Sequence, residues 1–235
     1  MKNFSKKLSQ VKQYAGEKMG KVESHADNDS TKEIKEKLRH IKTEYSQMYT
    51  IGKQHAVETE KCTQNGTQFA DVLTQFGSGF FSDQTVGEVL KKVGIQLKAV
   101  EQARQTCNVN SVQSLITPVG KFQDNEIKKA RDAKHKQDTI RLKYDAALER
   151  LNEAKKKNDA NSLKVKGMEQ ECADIKIEYD QVNSEFTQVM DHLVQEMNKQ
   201  LVAELREYAL QQLAFYKQAA ALWEETSDVL NQFQA

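Results

Sequence analysis

Lys155, Lys156 and Lys157 stand side by side in a stretch, residues 121–166, that holds 14 basic and 8 acidic side chains. Lys128, Lys129, Arg131, Lys134, Lys136, Arg141 and Lys143 precede them, and Lys164 and Lys166 follow. Ammonium and guanidinium groups at this density do non-covalent chemistry: they attract phosphates and other oxyanions. A solvated helix face carries the same signature. Projected at 100° per residue, the basic positions from Lys128 to Lys143 fall on both flanks of a helix, so the projection alone selects no binding face.

A second basic cluster begins the chain. Phe4, Leu8, Val11, Ala15, Met19 and Val22 recur at steps of four, three, four, four and three, and Lys2, Lys6, Lys7, Lys12, Lys18 and Lys21 fill the positions between them. A short basic amphipathic helix of low overall hydrophobicity reads as an interfacial anchor that inserts its apolar stripe into an anionic leaflet. In that reading Phe4, Leu8, Val11, Ala15 and Met19 enter the membrane while Lys6, Lys7 and Lys12 bind headgroups. The competing reading docks the same helix on the protein's own bundle.

Covalent catalysis finds no residues to carry it. The sequence has no glycine-rich phosphate loop, no nucleophile motif and no carboxylate or histidine cluster at a recognisable spacing, so no enzyme, small-molecule substrate, cofactor or metal is expected. Cys62, Cys107 and Cys172 are odd in number and widely spaced; they are expected to be reduced thiols packed as small hydrophobes. His55 lies on an apolar seam and is expected in the core. His135 lies in the basic stretch.

The elements that must hold these groups are helices. The 235 residues are 29% charged, 38% hydrophobic and 7% aromatic, with a single proline, a profile of long helices or coiled coils. From Ile34, alternating steps of four and three meet Leu38, Ile41, Tyr45 and Met48 and run on to Phe69, Leu73 and Phe76. The run GSGFFSD at 77–83 interrupts that seam. A second seam passes through Pro118, and a third runs from Met168 through Phe186 and Leu193 to Leu213, Tyr216 and Trp223.

The sequence predicts helices at about 27–76, 84–155 and 162–233, the second kinked near Pro118 where proline removes a hydrogen bond. Residues 1–25 form a separate basic segment, disordered until membrane-bound, and 26–235 one domain. At 1.5 Å per residue the longer helices reach about 110 Å. The fold class is all-α: an elongated, antiparallel three-helix coiled-coil bundle that needs a second copy to cover its seams, hence a homodimer.

The formal net charge of +1 hides a polarised chain. Residues 1–21 carry a net +5, residues 22–120 −1, residues 121–166 +6 and residues 167–235 −9. Nucleic acid is a poor partner for a chain with so acidic a third helix and no aromatic platform among its basic residues. No apolar run of about 18 residues and no secretory pattern appears, so a cytoplasmic protein is expected, with the sequons at Asn28 and Asn65 unused.

The residues resemble a known family. Pro118 with Phe122 four residues on, a lysine- and arginine-rich stretch, and Leu142, Tyr144 and Asp145 in a Leu-x-Tyr-Asp arrangement are similar to the second helix of the Bin/amphiphysin/Rvs (BAR) domain. Phe186, Leu193, Leu201, Leu205 and Tyr216 are similar to its third helix. The first basic segment is similar to the N-terminal helix of the amphiphysin and endophilin type, the N-BAR subclass. The resemblance implies a crescent-shaped homodimer with a six-helix core, or a heterodimer with a related BAR protein. It also implies a basic concave face on anionic phospholipid membranes, where such proteins sense or generate curvature and form tubules in endocytosis or other trafficking.

Carried onto this chain, the lipid-facing set is Lys128, Lys129, Arg131, Lys134, Lys136, Arg141 and Lys143, with Lys155, Lys156, Lys157, Lys164 and Lys166 at the helix 2–3 turn and the lysines of the first segment. The chain ends at Ala235 with no SH3 module, so recruitment of proline-rich partners is not expected. The rival reading is a coiled-coil scaffold or a tether for a small GTPase, without lipid remodelling.

Overall fold

Asn28 opens the first helix by accepting the Thr31 N–H on its side-chain Oδ1 at 2.8 Å, which satisfies one of the donors every helix leaves unpaired at its start. The computed structural model describes residues 27–79, 81–159, 161–231 and 233. Its elements are α1 (Asp29–Ser78), α2 (Thr85–Ser111), a π-helical turn at Val112–Ile116, α3 (Thr117–Phe122), a second π turn at Gln123–Ile127, α4 (Lys128–Lys157) and α5 (Leu163–Asn231). From Thr85 to Lys157 the backbone is helical without a break. The fold is all-α, with three long helical runs and no strand among the described residues.

Pro118 has no N–H to give, and its ring presses on the carbonyl one turn back. The chain meets both demands by widening the helix on either side of α3 into π turns rather than by ending it. The wider turns also place adjacent bulky residues inward: Leu115 and Ile116 are both buried. Phe122 stacks on Tyr45 of α1 at 5.0 Å, and burial, aided by the charge of Glu204, pushes the Tyr45 hydroxyl up to about 12.

Two compact units divide the chain. One comprises residues 44–122 and 198–235. Within it α1 and α2 meet backbone to backbone, because a Cβ on Gly94 would lie 2.7 Å from the Ala70 carbonyl oxygen. Val100, Ala103, Cys107, Val119 and Phe215 are buried there. Of the sixteen exposed large hydrophobic side chains among the described residues, fourteen belong to this unit. Several occupy expected seam positions: Phe69, Phe76, Leu205, Leu213, Tyr216 and Trp223 all face outward. His55 and Cys62, both expected inside, are exposed as well. Cys107 and Cys172 are buried; the Cys107 thiol donates to the Gln211 carbonyl at 3.6 Å, and burial raises the Cys172 thiol.

The other unit comprises residues up to Thr43 together with Gln123–Met197. Its core holds Leu38, Ile127, Val165, Phe186, Met190 and Leu193, all nearly inaccessible. Tyr144 of α4 and Tyr179 of α5 stack at 5.7 Å. Four ion pairs lace α4 to α5: Lys136–Glu185 at 2.7 Å, Lys143–Glu178 at 2.6 Å, Arg150–Glu171 at 3.1 Å and Lys155–Glu169 at 2.8 Å. The first three rise by seven on α4 and fall by seven on α5, the signature of an antiparallel heptad pair.

Candidate anion-binding surface

All basic side chains of α4 lie in the second of these units, and their neighbours divide them into sets. Lys136, Lys143 and Lys155 point toward α5 and are neutralised by its glutamates. The hydrogen bond from Lys136, joined by one from Gln181, holds the Glu185 carboxyl below its ordinary range. This flank presents alternating charge and no surplus.

The opposite flank faces α1. Here Lys32, Lys35, Arg39 and Lys42 of α1 and Arg131 and Lys134 of α4 line one groove, with Leu38 at its floor and Glu36 as the acidic side chain in the lining. Several of these cations have local partners. Lys32 pairs with Asp29, Arg39 with Glu36, and Lys134 with Asp138. Lys42 and Arg131 have no ion-pair partner among the described residues, and the same holds for Lys128. Lys129 is exposed and pairs with Glu126 at 2.7 Å. No charge count along the sequence marks the α1 cations, because residues 22–120 sum to −1.

Arg141 departs from its expected role. It is 7% exposed and belongs to a polar cluster inside the unit rather than to the lipid-facing set. Its Nη1 donates to Asp145 at 3.1 Å, and its Nε lies 3.5 Å from Asp27. Asp27 also accepts from Lys35 at 2.5 Å, Gln137 at 2.8 Å and the Tyr179 hydroxyl at 3.1 Å. The cluster ties the start of α1 to α4 and α5. Burial and the Asp27 charge raise the Tyr179 hydroxyl above its usual range.

Asp138 borders the same cluster and accepts from Lys35 at 2.6 Å. Burial opposes its ionisation, but the hydrogen bonds and charges of Lys134 and Lys35 outweigh it and hold the carboxyl low. Because the folded state favours the carboxylate, the stabilisation is complete above the ordinary aspartate value of 3.8 and is lost as the pH falls through the lower folded value. Asp138→Asn therefore lowers stability at pH 7 and costs much less near pH 2. Urea titrations at the two pH values check this, and equal losses at both would exclude the linkage.

The turn joining α4 to α5 carries the third set. Lys155 is tied to Glu169, and Lys157 lies 4.0 Å from Glu153. Lys156, Lys164 and Lys166 are exposed and make no ion pair among the described residues. Phe4, Leu8, Val11, Ala15, Met19, Lys6, Lys7 and Lys12 lie outside the described residues. Among the described residues no helix is long and apolar enough to cross a membrane, and no group of three histidine, cysteine or acidic side chains is placed to hold a metal ion.

A family model described as "BAR domain" matches residues 4–232. A Rho GTPase-activating protein, gacP of Dictyostelium discoideum, is 24% identical over 191 residues, which are 80% of this chain and 33% of that protein. A second, gacR of the same organism, is 22% identical over 211 residues, covering 84% of this chain and 26% of the relative. The chain thus spans a third or less of the curated relatives it matches. Among solved structures, a BAR protein from Galdieria sulphuraria superposes with a TM-score of 0.70 at 15% identity, over 88% of this chain and all of the other. The N-terminal I-BAR domain of IBARa from Dictyostelium discoideum gives 0.53 at 14% identity, over 88% and 90% of the two chains.

Proposed function

Because this chain belongs to the BAR domain family, whose members dimerise, bind membranes and respond to their curvature, we propose that it is a peripheral membrane protein. In this reading it binds anionic phospholipid through the α1-facing flank of α4 and through the α4–α5 turn. The observation that carries the reading is the uneven neutralisation of α4. Its α5-facing lysines are matched one for one by glutamates, while Lys42 and Arg131 in the α1-facing groove, Lys128 at the start of α4, and Lys156, Lys164 and Lys166 at the turn are left with their charge to use. Each such cation near an anionic leaflet contributes about 1 kcal/mol, and a dimer doubles the number.

The dimer has its own support. Fourteen exposed large hydrophobic side chains concentrated in one unit form the kind of surface that a second copy covers. We assign the chain to the N-BAR subclass on the amphipathic pattern of Phe4, Leu8, Val11, Ala15 and Met19, with its membranes facing the cytoplasm in a trafficking step such as endocytosis. The bound form is a crescent-shaped homodimer, and no catalytic step belongs to these residues.

Co-sedimentation with phosphatidylserine-containing vesicles tests the binding face. Lys42→Ala with Arg131→Ala takes four charges from a dimer and is expected to weaken binding by about 1,000-fold at low salt, at about 1 kcal/mol per charge, whereas Lys136→Ala with Lys143→Ala changes it little. Binding should fade as salt screens the interaction. The reverse ranking of the two double variants would move the membrane to the α5 side.

The names of the two Dictyostelium relatives favour a second reading, in which the chain is a scaffold beside a Rho-directed activity. Saturable capture of a Rho-family GTPase by protein that ignores vesicles would select that reading.

A further inference from the structure

Leu163 is the first residue of α5 and is 91% exposed, the highest value among the large hydrophobic side chains described. Its position is built, not loose. Asn158 ends α4 by donating through both its backbone and side-chain nitrogens to the Ala154 carbonyl, at 3.0 and 2.8 Å. Asp159 accepts the Asn161 N–H at 2.8 Å on its side chain and the Ser162 N–H at 3.0 Å on its carbonyl. Ser162 caps α5 by accepting the Val165 N–H at 3.3 Å. Val165, two positions on and so across the helix, is fully buried in the cluster with Leu151 and Ala154. With the inner face taken by Val165, Leu163 is held outward.

At 91% exposure its apolarity contributes little to the fold among the described residues, and a serine would serve α5 as well at that position. The surroundings say what it suits. Lys156, Lys164 and Lys166 bring charge that no acid in the described chain neutralises, and the one acid of the turn, Asp159, already holds the Asn161 amide. Ile177 is a useful contrast: it too is exposed, at 68%, but Asp174, Glu178 and Asp180 lie around it on α5. An apolar knob on a turn that also carries free cations matches a surface with an anionic outer layer and a hydrocarbon interior, which is a bilayer leaflet.

We propose that the α4–α5 turn is a membrane-inserting tip, in which Leu163 enters the acyl boundary of an anionic leaflet while Lys156, Lys164 and Lys166 engage the phosphate layer. This rests on the membrane reading above and adds to it a second insertion point, independent of the first 25 residues.

Full-length protein and phosphatidylserine-containing vesicles test it with two variants. Leu163→Ser keeps every charge and is expected to lower partition about tenfold with the salt dependence unchanged. Leu163→Trp is expected to add a blue-shifted emission, quenched by lipids brominated on the acyl chain, over the signal of the one native tryptophan, Trp223. Leu163→Ser binding like the parent, or an added indole that stays water-like and unquenched on vesicles that do sediment the protein, overturns the tip insertion and leaves the α1-facing surface standing. Parent protein that fails to sediment with vesicles at low salt overturns the membrane reading and the insertion together.

Discussion

Arg141→Ala lowers the stability of the folded chain by about 3–5 kcal/mol, the range for removing one partner of a buried ion pair. The side chains of Asp27, Arg141 and Asp145 are only 5, 8 and 1% exposed. Taking the guanidinium away removes a 3.1 Å ion pair from a carboxylate that is almost inaccessible to solvent. Asp27 keeps Lys35, Gln137 and Tyr179 but loses the guanidinium 3.5 Å away. Against a total stability of about 5–15 kcal/mol for a domain, the loss is a large share. Urea denaturation followed by circular dichroism measures it. Arg141→Lys should recover part of the loss, since an ammonium restores the charge without the fork geometry. Normal stability combined with weakened vesicle binding would return Arg141 to the lipid-facing set.

Leu213→Asp with Tyr216→Asp turns the dimer into monomer at micromolar concentrations. Both residues project from α5, at 49 and 65% exposure in the single chain, and a symmetric interface meets each of them twice. Removing one large side chain from burial costs about 1.5–3 kcal/mol, and each introduced carboxylate must also be desolvated. A loss of at least about 4 kcal/mol raises the dissociation constant about 1,000-fold. Analytical ultracentrifugation reads the result, and helicity by circular dichroism serves as the control. Unchanged dimer mass would place the interface on another face of the unit, such as the Phe69–Phe76 stripe of α1.

The helical fold class was legible because four-and-three spacing of apolar residues survives in the sequence whatever covers them. What covers them is not encoded in that spacing. Phe215 and Tyr216 are neighbours in the chain, yet Phe215 is buried within its own unit and Tyr216 faces out, so the seam through Tyr216 belongs to a second surface. His55 was misplaced for the same reason.

The basic surface was half legible. The cations of α4 stand out in any count, but their use depends on acids one helix away, and a wheel of α4 alone contains no information about Glu171, Glu178 and Glu185. Arg141 could have been suspected from Asp138 and Asp145 at three and four residues' distance on its own helix. Its buried partner Asp27 lies 114 positions earlier, beyond the reach of local pattern. Leu163 carries no signal in the sequence beyond its place near the start of a helix; its exposure follows from the folded turn.

The rungs between α4 and α5 have a translational ambiguity. If α5 slid by one heptad, Lys136 would meet Glu178 and Lys143 would meet Glu171, and two of the three heptad-spaced pairs would re-form. Surface charge therefore selects which helices lie side by side and in which direction, but barely penalises a misaligned copy. The cluster of Asp27, Gln137, Arg141, Asp145 and Tyr179 has no such repeat: displaced by seven residues, Arg141 and Asp145 would no longer share a site with Asp27 and Tyr179. Buried polarity acts here as the key that fits one alignment, and a chain that lost it would keep its helices while pairing them in more than one phase.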